Sequence, residues 1–239
     1  DTAGAMNAAR ANHGAVRLYD GKVLVVGGVG AAGTPIASAE IYDPSTGQFT
    51  MTGSLSTARS HAAIAFLLSG KVMVAGGLDA MGTPLLSTEI YDPAMGTWMA
   101  GPNMQTARTG ASAKVLGDSR VLIPGGMDAS SMALMTAEVY DPVAGMFGAT
   151  VSMTAARMTH SVTRMRDGRV LLAGGTGSAA ASLETFDPDT DMFTAASATL
   201  TTGRSGHSAL EIGNGQVMIM GGFDSSLNVL NTGQRWDPV

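Results

Sequence analysis

The segment Gly21-Lys22-Val23-Leu24-Val25-Val26-Gly27-Gly28 returns four more times, as residues 70–77, 119–126, 168–175 and 215–222. Its Gly-Gly pairs begin at 27, 76, 125, 174 and 221, at intervals of 49, 49, 49 and 47. A period of roughly 20–50 residues marks a solenoid, a propeller or an array, because one such unit cannot bury its apolar face alone. The repeats span all 239 residues, so the chain reads as a single domain, 1–239, with repeats starting near Arg10, Arg59, Arg108, Arg157 and Arg204.

Each repeat carries the same parts in the same order. Ala-Arg or Gly-Arg comes first, then a small, mildly apolar stretch such as 62–67. A turn follows: Asp20-Gly21, Ser69-Gly70, Asp118-Ser119, Asp167-Gly168 and Asn214-Gly215. Asp-Gly and Asn-Gly between apolar runs predict a two-residue type I′ hairpin, which needs φ > 0 at both central residues. The turn joins strand a to strand b, the Val-Leu-Val-Val segment. Strand b is apolar on both sides, which predicts burial on both faces. The glycines after it supply φ > 0 and close backbone approach. They do not open a helical pattern, as a phosphate-binding loop would.

A connection of eight to eleven residues then leads to strand c, Glu-Ile-Tyr-Asp-Pro or a relative of it, at 40–44, 89–93, 138–142, 184–188 and 234–238. Proline ends the strand because it donates no hydrogen bond to a ladder. Strand d opens on an aromatic: Phe49, Trp98, Phe147 and Phe193. Four short antiparallel strands repeated five times predict an all-β fold, a β-propeller of five four-stranded blades.

The arginine, the histidine two or three residues on (His13, His61, His160, His207), the Gly-Gly, the Tyr-Asp-Pro and the aromatic together resemble the kelch repeat, in its bacterial type. The resemblance covers essentially the whole chain. It departs from the family in repeat number: kelch propellers usually have six or seven blades, and five repeats are present. Asp1 stands nine residues before Arg10, as Thr50 does before Arg59, and Val239 falls in the turn before a strand d. Residues near Asp1 are therefore expected to complete the last blade beside the strand ending at Trp236. The alternative is that the repeats were cut from a longer array.

Composition excludes several functions. Net charge is −5, and lysine occurs only at 22, 71 and 114. No basic patch neutralises phosphates, so nucleic acid is not expected as a partner. No apolar run approaches the ~18–20 residues of a membrane helix, and no basic amphipathic helix lies on a membrane surface. Cysteine is absent, which removes disulfides, thiolate metal sites and cysteine nucleophiles. The start at Asp1 carries no leader pattern. That start could be the new end left after processing; only the small-residue, low-lysine composition favours an exported or surface protein.

Strand order brings the five arginines, the Gly-Gly pairs and the glutamates to one end of the blades. An arginine ring could hold an anion. The reading preferred here is structural: Arg10, Arg59, Arg108, Arg157 and Arg204 form ion pairs with Glu40, Glu89, Glu138 and Glu184, Gln234 leaving one without a carboxylate. Arginine's planar fork suits that role. The histidines are read as packing residues. Asp187, Asp189 and Asp191 resemble the opening of a calcium loop, but Met192 and Ala198 stand where its glycine and final glutamate belong. A turn is the default, with no metal and no cofactor. The seventeen methionines mostly fill core.

What the resemblance implies is a non-catalytic scaffold that holds a protein or carbohydrate through its b–c and d–a loops. The b–c connections differ most between blades. Met81, Leu85, Met132, Leu134 and Phe223 are the expected apolar anchors there, with Asp79, Asp128 and Asp224 as polar contacts. The a–b side is expected to offer little room. One alternative is a structural, self-associating subunit. Another is a sugar-modifying enzyme of the kelch-like group, of which the copper radical oxidases need a cysteine-linked tyrosine that this chain cannot form.

Overall fold

The computed structural model describes residues 4–238. The fold is all-β, a β-propeller of five blades, with one 3-10 turn at Gly177–Ala179 among the described residues. The chain forms two compact units, one running up to Gly110 and including Pro142–Phe147, the other holding Ala111–Asp141 and the chain from Gly148 onward.

The first unit contains blades 1 and 2. Blade 1 orders strands a to d as Gly14–Arg17, Val23–Val26, Ala39–Asp43 and Gln48–Thr52, all antiparallel. Blade 2 repeats this with Ala63–Phe66, Val72–Ala75, Thr88–Asp92 and Thr97–Ala100. The two sheets bury Leu24, Val26 and Leu55 against Val72, Val74 and Tyr91. The second unit contains the blade 3 strands Lys114–Val115, Val121–Pro124, Thr136–Asp141 and Val151–Ser152, and blade 4 (Ser161–Arg164, Val170–Ala173, Leu183–Asp187, Met192–Ala195); the short strand Met146–Phe147 falls in the first unit. The second unit also contains blade 5, with Ser208–Glu211, Val217–Met220 and Gly233–Trp236.

Strand b of blade 4 shows why these strands are apolar without alternation. Val170 and Leu172 pack toward blade 3, with Leu122 and Phe186. Leu171 and Ala173 pack toward blade 5, with Val217, Ile219 and Trp236. Side chains alternate between the faces of a strand, so a blade packed on both sides needs an apolar residue at every position. Each such Leu, Ile or Val contributes ~1.5–3 kcal/mol by burial.

Three expectations meet different outcomes. The a–b turn is not type I′. Gly21 donates to Leu18 O (3.1 Å) and Leu18 to Lys22 O (2.8 Å), and φ is positive at Gly21 but not at Asp20. This is a type I turn closed by a left-handed residue, a three-residue loop. The Asp20 side chain favours it by accepting from Lys22 N–H at 3.1 Å. Blade 5 has three strands, not four, among the described residues. Its expected completion by residues near Asp1 lies outside the described residues. At Gly4 the chain bonds Gly47 O at 2.7 Å, as Gly53 bonds Gly96 O at 3.1 Å one repeat later. Finally, strand d of blade 3 is interrupted at 148–150, where Gly148 N–H turns to Val139 O at 2.9 Å.

Candidate functional site

The arginines form the frame of each blade. Arg59 donates through Nη1 to Gly76 O and Ser87 O (both 2.9 Å), and through Nη2 to Ser87 Oγ and Glu89 Oε1 (both 3.0 Å). Arg10 repeats this on Gly27, Ser38 and Glu40, with an ion pair of 2.7 Å. Arg157 does the same on Gly174, Ser182 and Glu184, also paired at 2.7 Å. Arg108 and Glu138 are buried to the same degree. Glu40, Glu89 and Glu184 also accept from the d–a loop that enters their blade: Asn7 and Ala8 bond Glu40, Ser56 and Thr57 bond Glu89, and Thr154 bonds Glu184. Burial raises the Glu40 pKa, but the bonds from Asn7, Arg10 and Ala8 outweigh it and the net shift is downward. Burial lowers the pKa of Arg59 and Arg157, opposed by Glu89 and Glu184.

Blade 5 departs from this frame. Arg204 reaches Gly221 O and Thr232 O, both at 2.9 Å, but makes no ion pair among the described residues. Gln234 keeps only the loop contacts, accepting from Thr201 N–H at 2.7 Å and donating to Thr199 O at 3.2 Å. Arg204 is 2% exposed, and burial lowers its pKa.

The Gly-Gly pairs stitch one blade to the next. Gly28 N–H bonds Arg59 O at 2.9 Å, Gly77 bonds Arg108 O at 2.9 Å, Gly126 bonds Arg157 O at 3.0 Å and Gly175 bonds Arg204 O at 2.9 Å. At Gly28, φ is +92° and a Cβ would lie 2.6 Å from Ala11 O, so no larger residue fits.

The histidines divide. His13 and His61 are exposed. His160 is buried with no hydrogen-bond partner among the described residues, and its pKa falls to about 3 through burial, then the Arg157 charge, then His207. His207 shares a 2.9 Å contact with Ser161 Oγ, and burial followed by the Arg204 charge lowers it to about 4. No group of three or more metal-ligating side chains is placed to hold an ion among the described residues. Asp187 and Asp191 serve turns: Asp187 accepts from Asp189 N–H at 2.9 Å, and Asp191 takes φ +53° and pairs with Arg120 at 2.8 Å.

The b–c connections are short hairpins rather than open loops. In blades 1, 2, 3 and 5 a three-residue loop ends on a left-handed residue: Gly33, Gly82, Ser131 and Leu227. Asp79, Asp128 and Asp224 build these turns. Each Oδ1 accepts two loop amides at 2.8–2.9 Å, from Met81 and Thr83, from Ser130 and Met132, and from Ser226 and Asn228. Leu85 and Leu134 are half-buried, and their carbonyls take the amides of Arg108 and Arg157. Met81, Met132 and Phe223 stand free at 89%, 65% and 43% exposure. The expected anchors thus split into exposed tips and frame residues. The period of the sequence does not separate them, but the Asp placed two after each Gly-Gly is a turn signal in itself.

The a–b side also has relief, contrary to expectation. Clefts of about 400 and 450 Å3 lie beside Leu18 and Asp20 in the first unit. Tyr19 leaves this space open because its ring packs edge-on against Phe66, centroids 4.6 Å apart. Among the described residues no helix is long and apolar enough to cross a membrane.

The Kelch motif model matches residues 9–56 and 59–105. No curated protein matches the chain. Among solved structures, the one titled "Structure of YjhT" superposes with a TM-score of 0.78 over 94% of this chain and 80% of that one, at 13% sequence identity. That likeness concerns the fold alone. The chain thus carries two Kelch motifs within a five-bladed all-β propeller whose later repeats keep the same arginine, Gly-Gly and strand-c residues.

Proposed function

We propose that the chain is a non-catalytic scaffold that binds a protein partner through its b–c loop face. The observation that carries this is the design of the hairpins: apolar side chains stand exposed on turns locked by Asp side chains and backbone bonds. Met81 is 89% exposed and Met132 65% exposed, yet Asp79 and Asp128 fix the loops beneath them. Rigid loops lose little entropy on binding, and exposed apolar tips supply contact area. The buried arginines and glutamates support the same reading, since their hydrogen bonds go to the blade frame rather than to an open site.

Protein and glycan arrays probed with the intact chain test the proposal, with sedimentation measured alongside. Met132→Ser is expected to weaken capture of an array partner while leaving the melting temperature unchanged. Hydrogen exchange should show protection at 79–83 and 128–132. Protection of the a–b turns around Asp20-Gly21 and Ser69-Gly70 instead would overturn the choice of face. Association that rises with concentration and involves no array partner would favour a self-assembling subunit.

A further inference from the structure

Resting on that choice of face, we propose that the cleft between the b–c connections of blades 4 and 5 is a seat for one bulky apolar side chain of a partner peptide. The cleft has a volume of about 320 Å3, at the small end for ligand sites. It exists because blade 4 breaks the loop pattern. Its connection is the 3-10 turn Gly177–Ala179, with no Asp-locked hairpin, so the space that a hairpin tip would fill stays open.

The facing wall is the blade 5 hairpin, which presents Phe223 and Leu227. Leu227 is 78% exposed and has φ +62°, the conformation that Gly33 and Gly82 adopt at the same place in blades 1 and 2. A left-handed conformation is unfavourable for a residue with a Cβ, and this leucine recovers little of that cost by burial. Strain held at an exposed apolar side chain is an observation from which function is inferred.

The chemistry of the cleft selects its occupant. Its two charged residues are already engaged. Arg204 directs its guanidinium to Gly221 O and Thr232 O, and Asp224 spends Oδ1 on two loop amides and Oδ2 on Asn228 Nδ2. An ionic group would therefore be desolvated with no counter-charge. A sugar is disfavoured because no carboxylate or amide side chain is free to grip paired hydroxyls, and Leu227 offers it nothing. The hydroxyls of Thr176, Ser205 and Ser225 line the cleft and make no hydrogen bond among the described residues. They suit the neutral main chain on either side of a buried Leu, Phe or Trp.

The test uses the full chain with methyl-labelled Leu and Met, and the blocked tripeptides acetyl-Gly-X-Gly-amide as probes. X = Leu, Phe and Trp should shift the Leu227 methyl signals, with X = Ala, Asp and Lys at least tenfold weaker. Leu227→Gly should weaken binding about tenfold or more while the melting temperature holds or rises, since the strain is released. Phe223→Ala is the second variant and should weaken the same probes. Absence of shifts at millimolar peptide, or affinities indifferent to Leu227→Gly, would overturn the proposal. So would shifts caused by methyl glucoside or methyl galactoside and not by peptides. Peptides that moved the Met81 and Met132 methyls instead would overturn the cleft and leave the scaffold reading standing. A chain that bound no peptide and no array partner would lose both.

Discussion

Glu89→Ala should cost far more stability than Gln234→Ala, although the two residues occupy the same place in the repeat. Removing the Glu89 carboxylate takes the 3.0 Å partner from Arg59 Nη2 and leaves the Ser56 and Thr57 amides without their acceptor. Arg59 is 1% exposed, so water does not replace the lost charge. Stranding one member of a buried pair costs ~3–5 kcal/mol, against a total stability of ~5–15 kcal/mol for a typical fold. Gln234→Ala removes neutral hydrogen bonds at an exposed edge, each worth ~0.5–1.5 kcal/mol at most, and water recovers part of that. Urea unfolding should show a much lower midpoint for Glu89→Ala at unchanged m. For a chain of this size, 1 kcal/mol moves the melting temperature by about 2–4 °C, so the difference is readily measured. Glu89→Gln should fall between, because it restores an acceptor without the charge, the arrangement blade 5 already uses. Equal, small losses for both alanine variants would refute the reasoning, since they would mean that solvent reaches the Arg59 guanidinium.

Other outcomes follow from the same geometry. His160 holds its proton only below about pH 3 when folded but near 6.5 when unfolded. The unfolded chain therefore binds more protons as pH drops below 6.5, and the fold loses stability on the order of 3 kcal/mol by pH 4.5. His160→Asn should flatten the fall of the urea midpoint between pH 7 and 4.5, and an unaltered slope would exclude this histidine as its source. Gly28→Ala should destabilise much more than Gly47→Ala. Both have positive φ, but a Cβ meets Ala11 O at 2.6 Å in the first case and nothing within 4 Å in the second, where ~1–2 kcal/mol of backbone cost remains. Equal melting temperatures for the two variants would show that close approach is not what the first glycine serves. Gln234→Glu should raise the melting temperature by giving Arg204 the carboxylate its counterparts have, and a fall would show that this guanidinium is satisfied by its carbonyls alone.

The sequence alone determined what recurs. Five Gly-Gly pairs in register, strand-b runs such as Val170–Ala173 and the Glu and Asp-Pro of strand c require repeated antiparallel sheets buried on both faces, because side-chain period and proline chemistry are local properties. That the repeat arginines pair with the strand-c glutamates was legible too, but the sequence left open whether the partner comes from the same blade or a neighbouring one; the structure pairs Arg10 with Glu40 and Arg59 with Glu89, each within its own blade. What breaks the repeat was not legible. Asp79 is the exception: it closes its turn on the Met81 and Thr83 amides, all within four residues, so its inward role was legible from its place two after the Gly-Gly, although it was expected as a partner contact. Met81 and Leu85 look alike in sequence, yet the Leu85 carbonyl is tied to the Arg108 amide and Met81 is left in solvent. The strain at Leu227 and the cleft beside it arise only where the 3-10 turn of one blade meets the hairpin of the next. Exposure and free space belong to packed neighbours rather than to any single segment, so only the tertiary structure decided them.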